Sequence, residues 1–564
     1  MDKNQVDSAL NRLFHEQGKR IVLWNDAEQE FVEAVSSIDV PGVTVMRLDQ
    51  QGSFTVKMRI ECQDRTGKYL IYAPFAEPDY DSDWLLDVRL YSHTFRADRA
   101  SIILDELALA NQSLRPHVDR RKKFFDHKDR FKKLQALVTP EDTEADLDRK
   151  MLAVLVKADQ PELFHIVRTL FHSLCEGDID LDSQPPAWEL ITKFGLDEAF
   201  WQMVKVAFGY TESAPTLKNL LIRLLITDFA HNLKNTAVPG SWYHLLLPLS
   251  GRSNAVACMS HWRDSSSKGT SYDRFSEAVA DLLKVESQLD GFNIEHLLDI
   301  MTFLPVEKCI ARNLRDRVRH NAETLSADEI RQIAVRRQDG HWASLNVIGS
   351  ASVPRKALHA VYDALISAAD FFSLRNAHRQ FEFSDAAAMY RSYEKELFRF
   401  DQLYRHFCEA ADLAEAEGWG VLKPLREEIE ACYGNWFILS SALAWGRFIE
   451  PADGKSLLNE WAINGVAGQQ QFFKRRVAPR LGETESRRVF VIISDAFRYE
   501  AAEELTRELN GKYRFQAELS SQLGVLPSYT ALGMASLLPH RKVAYKATGE
   551  VLVDDRPTAS FDQR

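Results

Sequence analysis

Val489-Phe-Val-Ile-Ile-Ser-Asp-Ala-Phe-Arg-Tyr-Glu500 is the stretch that decides the predicted fold. Five apolar residues, four of them β-branched, lead into Ser494 and Asp495, and apolar residues then take helical spacing at Leu505 and Leu509. This pattern predicts a strand, a sharp turn and a helix. A short strand without polar alternation is typical of a parallel sheet covered on both faces. Asp495 would then end a central strand, where open α/β sheets bind ligands; alternatively, it only caps the helix.

A second stretch, Leu526-Pro-Ser-Tyr-Thr-Ala-Leu-Gly-Met-Ala-Ser-Leu-Leu538, puts a hydroxyl group in a comparable position. Pro527 and Ser528 predict the end of a loop and the start of a helix, so Thr530 falls in the first helical turn. Unpaired backbone N–H groups and the positive end of the helix dipole favour an anion there. A metal ion could hold this hydroxyl as an alkoxide nucleophile. The alternative is a threonine that is simply tolerated near a helix start.

Arg498 is a third candidate site residue. It lies in the first turn of the helix predicted after Asp495, where a cation opposes the helix dipole. We therefore expect a negative group beside it. That group is Asp495, another acid nearby, or a bound phosphate.

The motifs Ile492-Ile-Ser-Asp-Ala-Phe-Arg-Tyr499 and Leu526-Pro-Ser-Tyr-Thr-Ala-Leu532 resemble the PglZ proteins, type A, of the alkaline phosphatase superfamily. These proteins occur in bacterial BREX phage-defence systems. The resemblance implies that Asp495 is the metal ligand at the end of the first strand. It also implies that Thr530, favoured over Ser528 by spacing, is the nucleophile and a second metal ligand. Two divalent metal ions, with zinc as the expected metal, would form the family's site.

The resemblance implies a core BREX component that acts as a metal-dependent phosphatase or phosphodiesterase, with nuclease activity as one option. Arg498 would be a structural or phosphate contact. The family's remaining Asp and His ligands lie further along its chains, so we expect an incomplete C-terminal domain here. These 564 residues alone are then expected to show weak or absent metal binding and catalysis.

The alternative function is a non-catalytic assembly scaffold that binds other defence proteins through its N-terminal and helical regions, so whether the chain is an enzyme stays open. The resemblance implies other BREX proteins as partners, such as BrxB and the PglX methyltransferase. Self-association is left open.

The composition is that of a soluble protein with several domains, because 564 residues with 45% apolar and 27% charged content can bury two or more cores. A net charge of −11 argues against coating nucleic acid along the whole length. Six scattered cysteines without a CxxC pair argue against a disulfide framework and a structural zinc site. No apolar run reaches membrane-spanning length and the N-terminus lacks signal-peptide character, so we predict a cytoplasmic location without membrane contact.

Three regions follow from the order of the predicted elements, which make an α/β plus all-α multidomain fold. Residues 1–110 alternate strands and helices, which predicts a small parallel α/β domain, interpreted as a docking module. Residues 111–485 are mainly helical in pattern, and residues 486–564 would begin an alkaline-phosphatase-like, doubly wound domain. Asp26 also follows a predicted strand, but Asp26-Ala-Glu-Gln29 fits a capping box that opens a helix around residues 31–35.

The densest basic run lies between residues 115 and 133, with nine Lys or Arg against three Asp. Phenylalanines interleave with these charges, and basic residues with aromatics can bind nucleic acid by counterion release and stacking. The candidate DNA contacts are Arg120, Arg121, Lys122 and Lys123. The alternative is a solvated connecting helix whose phenylalanines pack inward.

Overall fold

The computed structural model describes the chain except residues 1–2, 97–98, 176, 321, 323, 325, 347–354, 451–454, 483–487, 513 and 561–564. Residue contacts divide it into two compact units. Unit 1 comprises Met1–His231 and Ala237–Asp281, and unit 2 comprises Asn232–Thr236 and Leu282–Arg564. The three region boundaries expected from the sequence stay a prediction.

Unit 1 begins with a four-stranded parallel sheet. Its strands are β1 Ile21–Asn25, β2 Val43–Arg47, β3 Lys68–Ala73 and β4 His93–Phe95, in the order β2-β3-β1-β4. The predicted small parallel sheet is therefore confirmed. In β1, Val22 and Trp24 join one apolar core while Ile21 and Leu23 join another on the opposite face. A strand buried on both faces needs a continuous apolar run, which is what this stretch has.

Most of the remaining elements of unit 1 are α-helices. They are α1 Lys3–Asn11, α2 Ser53–Met58, α3 Leu86–Tyr91, α4 Arg99–Glu106, α5 Arg115–Arg120, α6 Lys128–Gln135, α7 Glu144–Val156, α8 Leu163–His172, α9 Pro186–Lys193, α10 Asp197–Phe208, α11 Leu217–Asn232, α12 Leu249–Arg263 and α13 Gly269–Leu282. Apolar residues of α1 and α4 join the core on one face of the sheet, and those of α2 and α3 join the core on the other.

The α-helix predicted to begin at Asp26 is not observed, so the capping-box prediction is wrong. The Asp26 carboxylate accepts hydrogen bonds from the backbone N–H groups of Glu30 and Phe31 and from the Tyr72 hydroxyl. Only a short 3₁₀ turn, Ala34–Ser37, follows. Asp26 therefore holds a turn and a tyrosine instead of starting an α-helix.

Unit 2 continues with helices and ends in a small antiparallel sheet. The helices are α14 Val285–Gln288, α15 Leu304–His320, α16 Ala327–Gln338, α17 Arg355–Ala377, α18 Ala386–Ser392, α19 Phe398–Ala416, α20 Lys423–Ala431, α21 Leu439–Ile449, α22 Ala478–Leu481, α23 Tyr499–Gly511 and α24 Thr530–Leu537. The strands are β5 Val543–Tyr545, β6 Val551–Val553 and β7 Arg556–Pro557, in that order. β5 and β6 form an antiparallel hairpin around Thr548-Gly549.

α17 is the central helix of unit 2 and packs chiefly against α16 and α19. Among the described helices it alone is long and apolar enough to cross a membrane, and 72% of its apolar window is buried inside the protein. Such burial is that of a core helix. The cytoplasmic location stays a prediction.

A buried ion pair joins α15, α16 and α17. The Arg337 guanidinium contacts the Glu307 carboxylate at 2.5 Å, and both side chains are fully buried. Arg337 also donates to the carbonyl oxygens of Leu298 and Ile300, at 2.8 and 3.0 Å. The Tyr362 hydroxyl donates to Glu307 at 2.5 Å, and burial raises the pKa of Tyr362 well above its ordinary value. The charges thus have several hydrogen-bonding partners in the dry core.

All six cysteines are free, in agreement with the absence of a disulfide framework predicted from their spacing. Cys62 is exposed, whereas the other five are buried or partly buried. Burial raises the pKa of Cys258 to about 12. Burial also raises the pKa of the other four thiols, those of Cys175, Cys309, Cys408 and Cys432.

The predicted central strand at the start of the last region is not observed. Residues 488–494 form no strand, and the side chains of Phe490 and Ile492 are 83% and 93% exposed. The prediction of a strand covered on both faces is therefore wrong here, because no described strand pairs with this segment. No doubly wound sheet occurs among the described residues of this region.

This exposed apolar segment leads to a test in solution. Exposed contiguous apolar surface binds the dye ANS. We expect the double substitution Phe490→Ser with Ile492→Thr to lower ANS fluorescence clearly without changing the circular dichroism spectrum. Val206→Thr, at another exposed apolar position, serves as the matched control and should change ANS binding little. Equal ANS fluorescence in all three proteins would contradict an exposed segment.

Candidate functional site

The structure brings Asp495 and Thr530 together. The Thr530 Oγ1 hydroxyl donates to Asp495 Oδ2 at 3.4 Å, and both residues are exposed. This separation is long for a hydroxyl–carboxylate hydrogen bond. Two oxygens bound to one zinc ion at about 2.1 Å in tetrahedral geometry lie roughly 3.4 Å apart. The spacing of this oxygen pair therefore suits two ligands of one metal ion.

Thr530 is placed by the start of α24. The helix begins at Thr530, two residues later than expected, so Thr530 lies in the first turn as predicted, and no side chain caps its N-terminal N–H groups. The side-chain amide of Gln469 donates to the Gly533 carbonyl oxygen at 3.2 Å and accepts from the Val525 N–H at 3.1 Å. Leu532 and Ala535 pack in a small core with Val525. The hydroxyl therefore stands at the uncapped end of an anchored helix, where an anion is favoured.

Asp495 is placed by a tight turn just before α23. Ala496 takes a left-handed backbone conformation, with φ of 57°, and its N–H donates to Asp495 Oδ1 at 3.0 Å. A non-glycine residue with positive φ is uncommon and often marks a functional turn. One carboxylate oxygen is thus held by the backbone, while the other faces Thr530.

Arg498 lies at the N-cap position of α23, with extended backbone, instead of in the predicted first turn, and it is bound by an acid of α19. Its guanidinium donates to Asp401 Oδ1 at 2.7 Å and to the Tyr433 hydroxyl at 3.3 Å. The buried Asp401 carboxylate also accepts from the hydroxyls of Tyr393 and Tyr433, at 2.6 and 2.5 Å. The hydrogen bond with Tyr433 and the charge of Asp401 raise the pKa of Arg498. Of the three expected partners, the acid nearby is the one observed.

A second set of contacts fixes α23 against α19. Arg405 donates to both oxygens of the buried Glu500 at 3.2 and 2.9 Å and also pairs with Glu504. His406 Nε2 lies 3.0 Å from Glu504. Although burial opposes the charge, the hydrogen bonds to Glu500 and Glu504 raise the pKa of Arg405. The helix that follows Asp495 is therefore held by the helical region.

Sequence reasoning missed Asp401, Arg405 and Glu500 as residues that position the site. One signal was present in the sequence. Asp401 and Arg405 are four residues apart, as are Glu500 and Glu504, so each pair shares a helix face. Complementary charges at matching spacing indicate two helices that can pair, although they do not identify which two helices do so.

The tyrosine–Asp401 cluster predicts an alkaline transition. Burial and the hydrogen bond to Asp401 raise the pKa of Tyr433 to about 12, whereas an unfolded tyrosine titrates near 10. Because the folded pKa is the higher one, this contribution to stability is fully present below about pH 10 and lost as the pH rises towards 12. We expect the tyrosinate absorbance at 295 nm to show several late-titrating groups, because other buried tyrosines such as Tyr210 and Tyr362 also have raised pKa values, and Tyr433→Phe should remove one of them. Tyr545→Phe, at an exposed position, should leave the late-titrating groups in place; loss of one of them in that variant would contradict the assignment.

The described residues do not complete a metal site around Asp495 and Thr530. No group of three His, Cys, Asp or Glu that could hold a metal ion occurs in the described part of the chain. His540 Nδ1 is bonded to the Leu538 carbonyl oxygen, and Asp554 accepts from the N–H groups of Arg541 and Lys542. Asp554 therefore belongs to a turn. Two oxygen donors alone do not fit a two-metal centre.

The candidate DNA contacts differ in their surroundings. Arg121 makes two hydrogen bonds to Asp148, at 3.0 and 2.9 Å. Although burial alone would raise the pKa of Asp148, hydrogen bonds from His117 and Arg121 hold it below its ordinary value. Arg120 contacts Glu144 at 3.3 Å, and Lys122 and Lys123 are exposed. The Arg121 guanidinium is thus engaged inside the protein.

The phenylalanines of the same run face inward. Phe124 and Phe125 are buried, and Phe124 packs edge-on against Phe194 with ring centroids 5.8 Å apart. Stacking of these two rings on bases is therefore excluded in this structure. DNA binding stays a prediction that rests on Arg120, Lys122 and Lys123.

Comparisons with known proteins agree with the motifs around Asp495 and Thr530. Residues 472–564 match the family model described as "BREX system PglZ alkaline phosphatase-like domain". The chain is 35% identical over 542 residues to the "Alkaline phosphatase-like protein BrxZ" of Escherichia coli O9:H4 (strain HS), covering 95% of this chain and 61% of that protein. It is 30% identical over 573 residues to the "Alkaline phosphatase-like protein PglZ" of Bacillus cereus (strain H3081.97), covering 100% of this chain and 63% of that protein. The chain thus spans less than two thirds of these relatives, and no solved structure gives a significant match.

Proposed function

This chain carries a PglZ domain of the BREX alkaline phosphatase-like kind at residues 472–564 and has homologues named BrxZ and PglZ over most of its length, so we propose that it contributes the nucleophile to a metal-dependent phosphoester hydrolase in phage defence. The hydrogen bond between Thr530 Oγ1 and Asp495 Oδ2 is the observation that carries this proposal. Thr530 is the nucleophile and Asp495 the first metal ligand. The expected substrate is a phosphomonoester or phosphodiester, with nucleic acid as one option.

The chemistry follows from the two side chains and the helix end. Asp495 accepts the hydroxyl hydrogen bond of Thr530 and so orients Oγ1. The uncapped N–H groups at the start of α24 favour the negative charge of a phosphate beside that oxygen. Bound divalent ions, which this superfamily typically uses and for which zinc is our expectation, would supply Lewis-acid activation. Further ligands besides the two oxygens are needed to hold them.

This shortage of donors leads to a direct test. We expect the 564-residue chain to bind zinc weakly and to hydrolyse bis(p-nitrophenyl) phosphate slowly or not at all. A version extended to the length of the relatives is expected to bind about two metal ions and to hydrolyse it readily. Zinc content by mass spectrometry and release of p-nitrophenol measure both properties. Equal zinc content and activity in the two proteins would contradict the proposal that Asp495 and Thr530 need additional ligands.

A second candidate function is an assembly scaffold in which the phosphatase-like region is mainly structural. Exposed apolar side chains around the parallel sheet favour it, since Phe54, Trp84 and Leu90 are 77%, 85% and 74% exposed. Exposed aromatic and aliphatic groups often mark protein-binding surfaces. In this function the N-terminal and helical regions recruit other BREX proteins, such as BrxB and the PglX methyltransferase, in the cytoplasm.

A further inference from the structure

A cavity of about 220 Å³ lies in unit 1 where the N-terminal ends of α9, α10 and α11 meet. Its side chains include Asp182, Trp188, Asp197, Trp201, Thr216 and Lys218. We name it the Trp188–Trp201 cavity. It belongs to a different unit from Asp495 and Thr530, and the proposed hydrolysis does not use it.

Two indole rings give this cavity an electron-rich wall. The ring centroids of Trp188 and Trp201 lie 5.7 Å apart with an interplanar angle of 60°. Phe200 packs edge-on against Trp188 at 5.2 Å and against Trp201 at 5.0 Å. Because the rings are held by this packing, they form a fixed angled pair. Indole faces attract cations more strongly than other aromatic rings do.

The charges of the cavity leave one carboxylate without a counterion. Lys218 Nζ contacts both oxygens of Asp182, at 2.9 and 2.8 Å, so these two charges neutralise each other. Asp197 is partly buried, and no hydrogen bond or ion pair to it is found among the described residues. It opens α10 one turn before Trp201, and residues four apart lie on the same helix face. A carboxylate without a described counterion therefore lines the same cavity as the two indole rings.

We propose that the Trp188–Trp201 cavity binds a guanidinium group, the arginine side chain of a partner protein. A planar guanidinium stacks on an indole face and donates two parallel hydrogen bonds to a carboxylate. Both groups are present here, in Trp201 and Asp197. A lysine ammonium is a compact, strongly hydrated point charge and gains less from a planar stack.

Calorimetric titration of the full chain with N-acetylarginine amide tests the proposal. We expect saturable binding in the millimolar range that Trp201→Leu and Asp197→Asn each weaken about tenfold. Lys218→Ala should strengthen binding, because it removes a competing cation and frees the Asp182 carboxylate. Trp84→Leu, the same change at a tryptophan that is 85% exposed and outside the cavity, should leave the affinity unchanged.

Three further amides test the specificity of the cavity for a guanidinium group. N-acetylglutamine amide and N-acetylaspartate amide should not bind, and N-acetyllysine amide should bind several-fold more weakly. The proposal is overturned by the absence of heat with the arginine amide, by equal affinity for the lysine amide, or by tighter binding of the aspartate amide that Lys218→Ala abolishes. If Trp201→Leu fails to fold, the other two variants decide the outcome, because Asp197→Asn should weaken binding of the arginine amide and Lys218→Ala should strengthen it.

Discussion

Replacing Arg337 with methionine is expected to lower the free energy of unfolding by about 3–5 kcal/mol. After the substitution the Glu307 carboxylate stays fully buried. Among the described residues, only the Tyr362 side chain then still donates a hydrogen bond to it. An unpaired charge in a dry core costs far more than the ion pair itself contributes, because its desolvation is no longer offset. Urea-induced unfolding followed by circular dichroism measures the effect as a lower midpoint.

Two controls separate the buried charge from a general effect of mutation. The double substitution Arg337→Met with Glu307→Leu removes both charges, so we expect it to recover much of the lost stability. Arg312 of α15 forms an ion pair with Glu286 in which both side chains are about half exposed. Arg312→Met should therefore lower the free energy of unfolding by less than about 1 kcal/mol. Equal losses of unfolding free energy in Arg312→Met and Arg337→Met would contradict the expectation that a buried, unpaired Glu307 is especially destabilising.

Replacing Thr530 with alanine is expected to reduce phosphoester hydrolysis by at least about 10³-fold in a protein of the relatives' length. The change removes the only hydroxyl that the structure places against Asp495 among the described residues. Asp495→Ala should remove a metal ligand and cause a comparable loss. Thr530→Ser, which keeps a hydroxyl at this position, should retain partial activity.

Ser528 provides the matched control, since it is an exposed hydroxyl two residues away. Ser528→Ala should leave hydrolysis and phage defence nearly unchanged. Loss of defence in the Thr530 and Asp495 variants, with folding and partner binding intact, supports catalysis. Full defence in both variants would instead support the scaffold.

The sequence predicted the N-terminal sheet correctly but misjudged the segment before Asp495, although both stretches have the same local pattern. Ile21–Asn25 is a five-residue strand covered on both faces, whereas residues 490–493 are exposed and belong to no strand. Apolar, β-branched residues show that a segment can form a buried strand. Burial itself depends on neighbouring strands, which are distant in sequence, so local pattern does not determine it.

The same distinction applies to the candidate site. The proximity of Asp495 and Thr530 was expected from the motif resemblance, which implies that both residues belong to one metal site, and Thr530 also stands at a recognisable helix start. The contacts of Arg498 with Asp401 and of Arg405 with Glu500 were not predictable, because the partners are 97 and 95 residues apart. No local rule connects such distant charges. For the basic run the sequence left two alternatives open, and the buried Phe124 and Phe125 agree with the one in which the phenylalanines pack inward.

The unequal burial of the cysteines gives the protein a ready point of attachment for spectroscopic probes. Cys62 is exposed, and thiols with raised pKa values elsewhere react slowly because the thiolate is the reactive form. A maleimide dye added in limited amount should therefore label Cys62 first, in the segment between α2 and β3. Fluorescence anisotropy of that label would report the docking of another protein on the N-terminal sheet, without any engineered residue.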